Sequence, residues 1–484
     1  MKIRLRTLNP FDQLSPALWE VTKLPAHPTM SVVILYKDFY LDPRSLMRNI
    51  MAKSSMRRVL SNRNILVLSL TNAAATFFQQ VYQPYWAAYL KDVVGLDVLQ
   101  IGLLRSLARS NNLLFAFPGG LLADRIGRKK VTLMGAAARI FTPLIYLFAG
   151  TWELLLIGTI VNAMQSISTA AYSAVVAESV PRDQRGTGYG VFESLRRMPM
   201  VFTGITGGIL MDTLGYAGGM KVSFAAGIIG GMTIFTVRYL FLIETLKKDS
   251  VSQRRTIKGD LKEIIPLFQG SLKYMQVTSA IYQFAAGLTS ELLILYVTDP
   301  NYLGLTNTEW GTILSTMQLI GLLTSLPGGM MADKYNRVKL NVFARSIAPI
   351  TNLAYIFLRG FWLILGTRMI AGVGMGLSGA AEVGMIGGTS WNALMADLVP
   401  PEKRGRFSGI MSTFNGAVSL PSPSVGAWLW DTPGVGPVGD FWVSIILGLV
   451  STAIFGKFVK DPRFEKGKKI RMEAEEHDEK ASSS

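Results

Sequence analysis

The chain has no cysteine and only two histidines among its 484 residues. Without a thiol there is no disulfide, no thiolate metal site and no cysteine nucleophile. The histidines, His27 and His477, sit in the tails, so no histidine relay runs through a buried core. Charge is also sparse, at 17% of residues, where soluble chains carry about a quarter. Apolar residues fill the space: 49% are hydrophobic and the mean hydropathy is +0.32. They fall in twelve blocks, centred near residues 77, 108, 140, 165, 200, 232, 284, 317, 347, 375, 417 and 447. A helix needs about twenty such residues to cross the ~30 Å hydrocarbon core. The pattern predicts an all-α membrane protein.

One polar stretch, Glu244–Gly270, divides the blocks six and six. The expected organisation is an arm over 1–62, a first bundle over 63–243, a linker over 244–270, a second bundle over 271–457 and a disordered charged tail over 458–484. Residues 1–50 hold no cleavable apolar core of signal-peptide form. Met51 opens a more ordinary start, so this stretch reads either as a functional arm or as a start-site artefact. The net charge of +17 raises the question of nucleic acid, but its distribution answers differently. With loops assigned to alternate sides, 37 Lys and Arg fall on one side and three, Lys91, Lys221 and Arg359, on the other. That is the positive-inside pattern; it accounts for the basicity without nucleic acid and places both termini and the linker in the cytoplasm, beneath a plasma membrane.

The chain is also written twice. PGGLLADRIGRKK begins at Pro118 and PGGMMADKYNRVK at Pro327, an offset of 209. ARIFTP at Ala138 matches ARSIAP at Ala344, AVVAESVPRDQRG at Ala174 matches ALMADLVPPEKRG at Ala393, and GGILMDTLG at Gly207 matches GAWLWDTPG at Gly426. Two parallel six-helix halves follow. In such architectures the substrate site lies near the midplane, between halves that rock against each other.

With these repeats the sequence resembles the major facilitator superfamily of transporters, from about Asn64 to Lys457. The family's loop pattern G-x-x-x-D-R-x-G-R-K is complete at Gly120, Asp124, Arg125, Gly127, Arg128 and Lys129. The second copy keeps Gly329, Asp333, Lys334 and Arg337, with Asn336 in place of the glycine. Glu178 and Arg185, repeated as Asp397 and Arg404, resemble its acid-x6-Arg motif. The resemblance implies two pseudo-symmetric six-helix bundles, alternating access, a small-molecule substrate, no cofactor and a monomer in the bilayer.

Physically, Pro118 and its glycines are expected to end the second span, and Gly127 to turn at positive φ. Asp124 is expected to accept from backbone N–H groups at a nearby helix start. The acids and bases of these loops are candidates for a cytoplasmic gate that pairs across the face as the halves close. The plainer alternative is that they anchor helices and set topology.

A charge in mid-membrane costs about 2.5–3.5 kcal/mol on insertion scales, so each asks for a reason. Arg139 and Arg345 occupy matched positions, which suggests a shared structural role. Glu193 precedes Arg196 and Arg197 by three and four residues and can pair with them on one face. Arg105 and Arg109 share one face of span 2, and their repeat counterparts, Leu314 and Gln318, are uncharged. They call for an interhelical ion pair or a water-filled cavity. In the resembled fold spans 1, 4, 7 and 10 line that cavity. Gln79, Gln83, Tyr85, Trp86, Asn162, Gln165, Gln283 and Arg368, with Arg105 and Arg109, are then candidates for the substrate path. Arg368 also resembles the family's R-x-x-x-G-x-G motif.

Without buried histidine only carboxylates can carry a coupling proton, and Glu291 and Glu382 are the candidates. Glu382 lies on a span of about 37 residues from Phe361 to Asp397, roughly 55 Å if wholly helical, so a break near Gly384–Gly388 is expected. The formal G-x-G-x-x-G at Gly374–Gly379 lacks the strand and acid of a dinucleotide site. No P-loop, metal cluster or catalytic triad is written in the sequence. A proton-coupled secondary transporter leads; the opening loop resembles that of drug–proton antiporters, whose span-5 glycine signature is partly kept here, and this resemblance leans it toward efflux of drug-like compounds. A sugar or organic-anion importer, a passive facilitator, and a receptor or enzyme on the same architecture remain alternatives.

Overall fold

The computed structural model describes residues 61–110, 115, 117–179, 195–246, 263–378, 389–400 and 403–464. Among these residues every regular element is a helix. Asn62 starts α1 (Arg63–Tyr82) by accepting from the N–H groups of Asn64 and Ile65. Pro84, which has no N–H to give, interrupts the helix as a 3₁₀ turn over Gln83–Tyr85 before α2 (Trp86–Asp92). A capping box of Asp97 and Gln100 opens α3 (Val98–Arg109). Then come α4 (Phe117–Ile126), α5 (Arg128–Phe148), α6 (Trp152–Met164), α7 (Ile167–Ser179) and α8 (Met200–Phe241). The last holds the expected fifth and sixth spans, joined where Gly215 takes a φ of 66° that favours glycine.

The second half repeats this order: α9 (Gly270–Ser290), α10 (Leu293–Thr298), α11 (Asn307–Lys334), α12 (Arg337–Phe357), α13 (Phe361–Ser378), α14 (Thr389–Leu398), α15 (Arg404–Ser419), α16 (Ser422–Asp431) and α17 (Gly436–Phe458). The order is compatible with twelve spans. The α1–α2 break at Gln83 and the α9–α10 break at Glu291 stand 208 residues apart, so the duplication copied an interruption as well as the helices. In the first half α1 and α5 pack on α8; in the second, α9 and α12 pack on α17.

Large apolar side chains face outward: Phe148 is 72% exposed, Leu326 76% and Trp362 78%. In water such a belt would be an aggregation surface; here it is the face toward lipid, and the helices satisfy their own backbone groups.

The second span does not end at Pro118. Proline instead opens α4, where a missing N–H costs nothing, and the helix runs on to Ile126. Pro327 is likewise inside α11, which continues to Lys334. Arg185, Glu193, Glu382 and the expected break near Gly384–Gly388 lie outside the described residues.

Two buried charges escaped the sequence reading. Arg238 is fully buried in α8, donating to Thr71 Oγ1 (3.0 Å) and Asn72 Oδ1 (3.1 Å) of α1. Asp440, on the first turns of α17, is 1% exposed, and both its carboxylate oxygens lack a partner among the described residues. Asp440→Asn therefore removes an uncompensated buried carboxylate. The purified variant is expected to melt at or above the wild-type temperature. A drop of several degrees would reveal a carboxylate that structure depends on.

Candidate gates and substrate path

The loop phrase that repeats marks one end of the bundle, here the basic face. Gly127 has a φ of 105° and, having no side chain, leaves the first N–H groups of α5 uncapped by its own residue. The acceptor comes from the far end of α8. Glu244 accepts from the N–H groups of Arg128 and Lys129, both at 3.0 Å. A side chain at Gly127 would collide with that carboxylate. Asp124 does not cap the helix start as expected. It lies one turn before Arg128 and pairs with its guanidinium at 3.2 Å, while Glu178 pairs with the same group at 3.1 Å.

The second copy solves the problem differently. Asn336 needs no positive φ and caps α12 itself, accepting from Val338 (2.9 Å) and Lys339 (3.1 Å). Asp461, beyond α17, accepts from the Arg337 N–H at 2.9 Å. Arg337 also pairs with Asp397, while Asp333 is 3.9 Å away. Arg404 does not meet Asp397; it donates to the Ala396 and Val399 carbonyls at the end of α14. Gly120 and Gly329 lie inside α4 and α11, Arg125 and Lys334 are exposed, and Lys129 reaches over the Tyr239 ring. Each half thus builds its own cluster, Arg128–Glu178–Glu244 and Arg337–Asp397–Asp461. Glu244 and Asp461 were missed as linker and tail residues; each follows the last span of its half closely, and that matched placement was the available signal.

The halves meet at the opposite end. Arg105 Nε lies 3.0 Å from Glu291 Oε2, and Arg109 Nη2 lies 3.1 Å from Glu291 Oε1. This answers the sequence question about the two arginines: they form an ion pair between halves. Two cations exceed one anion, and helix ends make up the difference. Arg105 donates to the Gln83 carbonyl at 3.3 Å, at the end of α1, and Glu291 is the C-terminal cap of α9. Both lie at helix C-termini, where the helix dipole favours a cation. Arg109 also donates to Ser290 Oγ (3.1 Å) and Ser422 Oγ (3.4 Å).

Further out, Asp212 of α8 accepts from the N–H groups of Asn307 (3.1 Å) and Thr308 (2.7 Å), the first residues of α11. Tyr85 donates to the Gly204 carbonyl at 2.8 Å and the Asn307 carbonyl at 3.2 Å. Ser106 and Ser424 hydroxyls lie 2.7 Å apart. Helices α8 and α11 touch backbone to backbone at Gly204 and Gly311, where a Cβ on either would strike the other's carbonyl. Among the described residues the hydrogen bonds and ion pairs between the halves lie at this end, and the basic-face pairs stay within a half.

The candidate path divides. Gln79 and Gln165 line a pocket in the first half, where Gln165 donates to Asn162 Oδ1 (2.9 Å) and Thr142 Oγ1 (3.3 Å). Gln283 is half-buried on α9. Trp86 packs among Tyr82, Tyr89, Tyr146 and Phe224. Arg368 is buried, its guanidinium 5.2 Å from the Trp310 ring centroid and 5.1 Å from that of Tyr355. Gln83 contributes its carbonyl, and Tyr85 belongs to the contact between halves.

Two repeated helical halves, joined at one end and closed separately at the other, define a transporter of the rocking-bundle kind. The model of the Major Facilitator Superfamily matches residues 68–300 and 275–481, and the chain belongs to that family. It is similar to the class H tetracycline resistance protein of Pasteurella multocida, 22% identical over 65% of this chain and 78% of that one. It is 22% identical to the multidrug resistance protein MdtG of Proteus mirabilis, over 75% of this chain and 88% of the relative. Among solved structures it resembles a D-xylose–proton symporter, with a TM-score of 0.64 at 13% identity, covering 82% of this chain and 98% of the other. A bacterial homologue of the iron transporter ferroportin in an inward-facing state gives 0.60 at 16%, covering 82% and 98%. The protein is a secondary transporter of the membrane.

Glu291→Gln leaves buried Arg105 and half-buried Arg109 without their anion and should cost about 3–5 kcal/mol. The melting temperature should fall, and Arg109→Gln in the same chain should restore part of it. No fall would mean the pair contributes nothing to closure. Glu244 gives a separate test. Burial raises its pKa, but the backbone N–H groups of Leu246, Lys129, Arg128 and Thr245 outweigh burial and hold it below its ordinary 4.5. Its contribution is complete above that pH and is lost as pH falls through the depressed value. Acid titration of stability should therefore be shallower in Glu244→Gln than in wild type.

Proposed function

We propose that this transporter exports a drug-like organic solute by alternating access, in exchange for protons, with Glu291 as the carrier. The observation that supports this is the placement of Glu291. It is the only carboxylate ion-paired between the halves among the described residues, and its partners lie on the other half. Opening that end must pull Glu291 away from Arg105 and Arg109, and a carboxylate stripped of its cations takes up a proton more readily. Closing again requires the proton to leave. One turn of the cycle then ties gate movement to proton transfer. Glu382 remains the second candidate.

The names of the resistance proteins support a drug-like substrate leaving the cell. The charge asymmetry supports a cytoplasmic basic face with both termini there, in the plasma membrane. The bundle boundaries follow the notion of two halves, 63–243 and 271–457, flanked by the arm, linker and tail. On the basic face, Gly120, Asp124, Arg125, Gly127, Arg128, Lys129, Glu178 and Arg185, with Gly329, Asp333, Lys334, Arg337, Asp397 and Arg404, make up the cytoplasmic gate of this reading. A monomer suffices, since one chain holds both halves.

Everted vesicles with an acidic lumen test this, using tetracycline and ethidium as probes. Gradient-dependent uptake that collapses with a protonophore is expected. Arg109→Gln with Glu291→Gln should retain exchange down a concentration gradient and lose the response to pH. Equal uptake with and without the gradient in wild type would make the protein a passive facilitator. Full gradient-driven uptake by the double variant would move the carrier role to Glu382.

A further inference from the structure

Both halves build the same aromatic nest near the end where they meet, but the residue beside it differs. In the first half Phe224 of α8 packs on Tyr89 and Tyr146, with ring centroids 6.1 and 5.8 Å away. In the second, Phe441 of α17 packs on Tyr296 and Tyr355, at 4.8 and 5.8 Å. The residue before the phenylalanine is buried in both halves. In the first it is Ser223, whose hydroxyl donates to the Gly219 carbonyl at 2.8 Å. In the second it is Asp440, and neither of its carboxylate oxygens has a partner among the described residues. The duplicated packing is therefore content with a small, satisfied hydroxyl. The carboxylate is an addition of the second half.

No cation balances Asp440. Helix α17 packs on α9, α12 and α16, and α10 contributes Tyr296. Of the arginines on that side, Arg345 is held at Ser451 Oγ (2.7 Å), eleven residues or ~16 Å further along α17. Arg359 donates to the Tyr355 carbonyl at 3.1 Å. The lysines of α9, α12 and α17 and Arg337 sit at the basic-face ends, and Asp431 of α16 is exposed. The remaining titratable groups are the phenols of Tyr282, Tyr296 and Tyr355, and Glu291. None of these acts on Asp440 electrostatically. A carboxyl buried with neither cation nor N–H donor keeps its proton. Glu291 has two cations and Asp440 has none, and two carboxyls in such opposed environments divide the roles of proton donor and acceptor. A cavity of about 20 Å³ is lined by Thr289, two residues before Glu291, and by Ser444, one turn past Asp440, with Asn352. That is room for about one water. Phe441 packs against α10, which begins two residues after Glu291, so movement of Glu291 reaches the cover over Asp440. We propose that Asp440 is a proton-binding site, the acceptor of the proton that Glu291 gives up when the halves close. Glu291 goes from acid to carboxylate as Asp440 goes from carboxylate to acid, and the closed end keeps the proton. The hand-over rests on the proposed proton exchange; the site itself is tested without transport.

The site is read by infrared spectroscopy of the purified, full-length protein at neutral pH. The C=O stretch of a protonated carboxylic acid, shifted in D2O, should be present in wild type, lost in Asp440→Asn and kept in Glu291→Gln. Dicyclohexylcarbodiimide, an apolar reagent that adds to protonated carboxyls, should label Asp440 in peptide mass spectra. Exchanging choline chloride for sodium chloride should change neither result. A band that survives in Asp440→Asn, or no such band in wild type, would overturn the proposal. So would loss of the band and the labelling in sodium, which would make the site one for a metal cation. The hand-over is read in everted vesicles with ethidium. Asp440→Asn should lose the response to pH while its Glu291 ion pair, and so its melting temperature, stays intact. Full gradient-driven uptake by Asp440→Asn would overturn the hand-over. Wild type that moves no ethidium but shows the Asp440 band would instead count against the export reading alone.

Discussion

A charge inside a membrane protein has few places to rest, and this chain has divided one such place between its halves. Arg105 and Arg109 come from the first half and Glu291 from the second. Neither half can bury its own share alone, because an unpaired ion away from water costs several kcal/mol. The closed end is therefore a joint property of the two bundles. The arginines also rest on helix ends that exist only because α1 and α9 are broken, at Gln83 and Glu291. Pro84 in the first half makes such a break, and that break presents the carbonyl that takes the surplus positive charge.

The basic face follows the opposite logic. There each arginine finds its acids inside its own bundle, Arg128 with Glu178 and Arg337 with Asp397. A third acid closes each cluster by gripping the start of α5 or α12, so the last span of each half is tied to its third. Ties of this kind stiffen a bundle, and stiff bundles move as bodies. Rocking then needs contacts that break at one end and frames that hold at the other, and the charges are distributed to suit both.

Much of this was legible in the residues. The repeated phrase, the alternation of Lys and Arg and the twelve apolar blocks led to the fold, because bilayer thickness and charge retention act on sequence directly. Arg105 and Arg109 stood out because their repeat counterparts, Leu314 and Gln318, carry no charge. What stayed hidden were distances between segments far apart in the chain. Glu291 was read as a candidate proton carrier without named partners, because nothing local points to Arg109 and Arg105, 182 and 186 residues earlier. Asp440 was passed over because it borders an apolar block rather than interrupting it. Trp86 and Arg368 were named as path candidates by span, and their packing against aromatic rings was not legible in the chain.

The outermost contact between the halves is also the easiest to exchange for water. Asp212 holds the first N–H groups of α11, but it sits in an exposed position where water can take over each of its bonds. Exchanging such hydrogen bonds for water changes the free energy by only about 1 kcal/mol each. Glu291 has no such substitute until water has already entered. The rim contacts can thus be exchanged for water at little cost, whereas separating Glu291 from Arg105 and Arg109 strands ions on both halves at once.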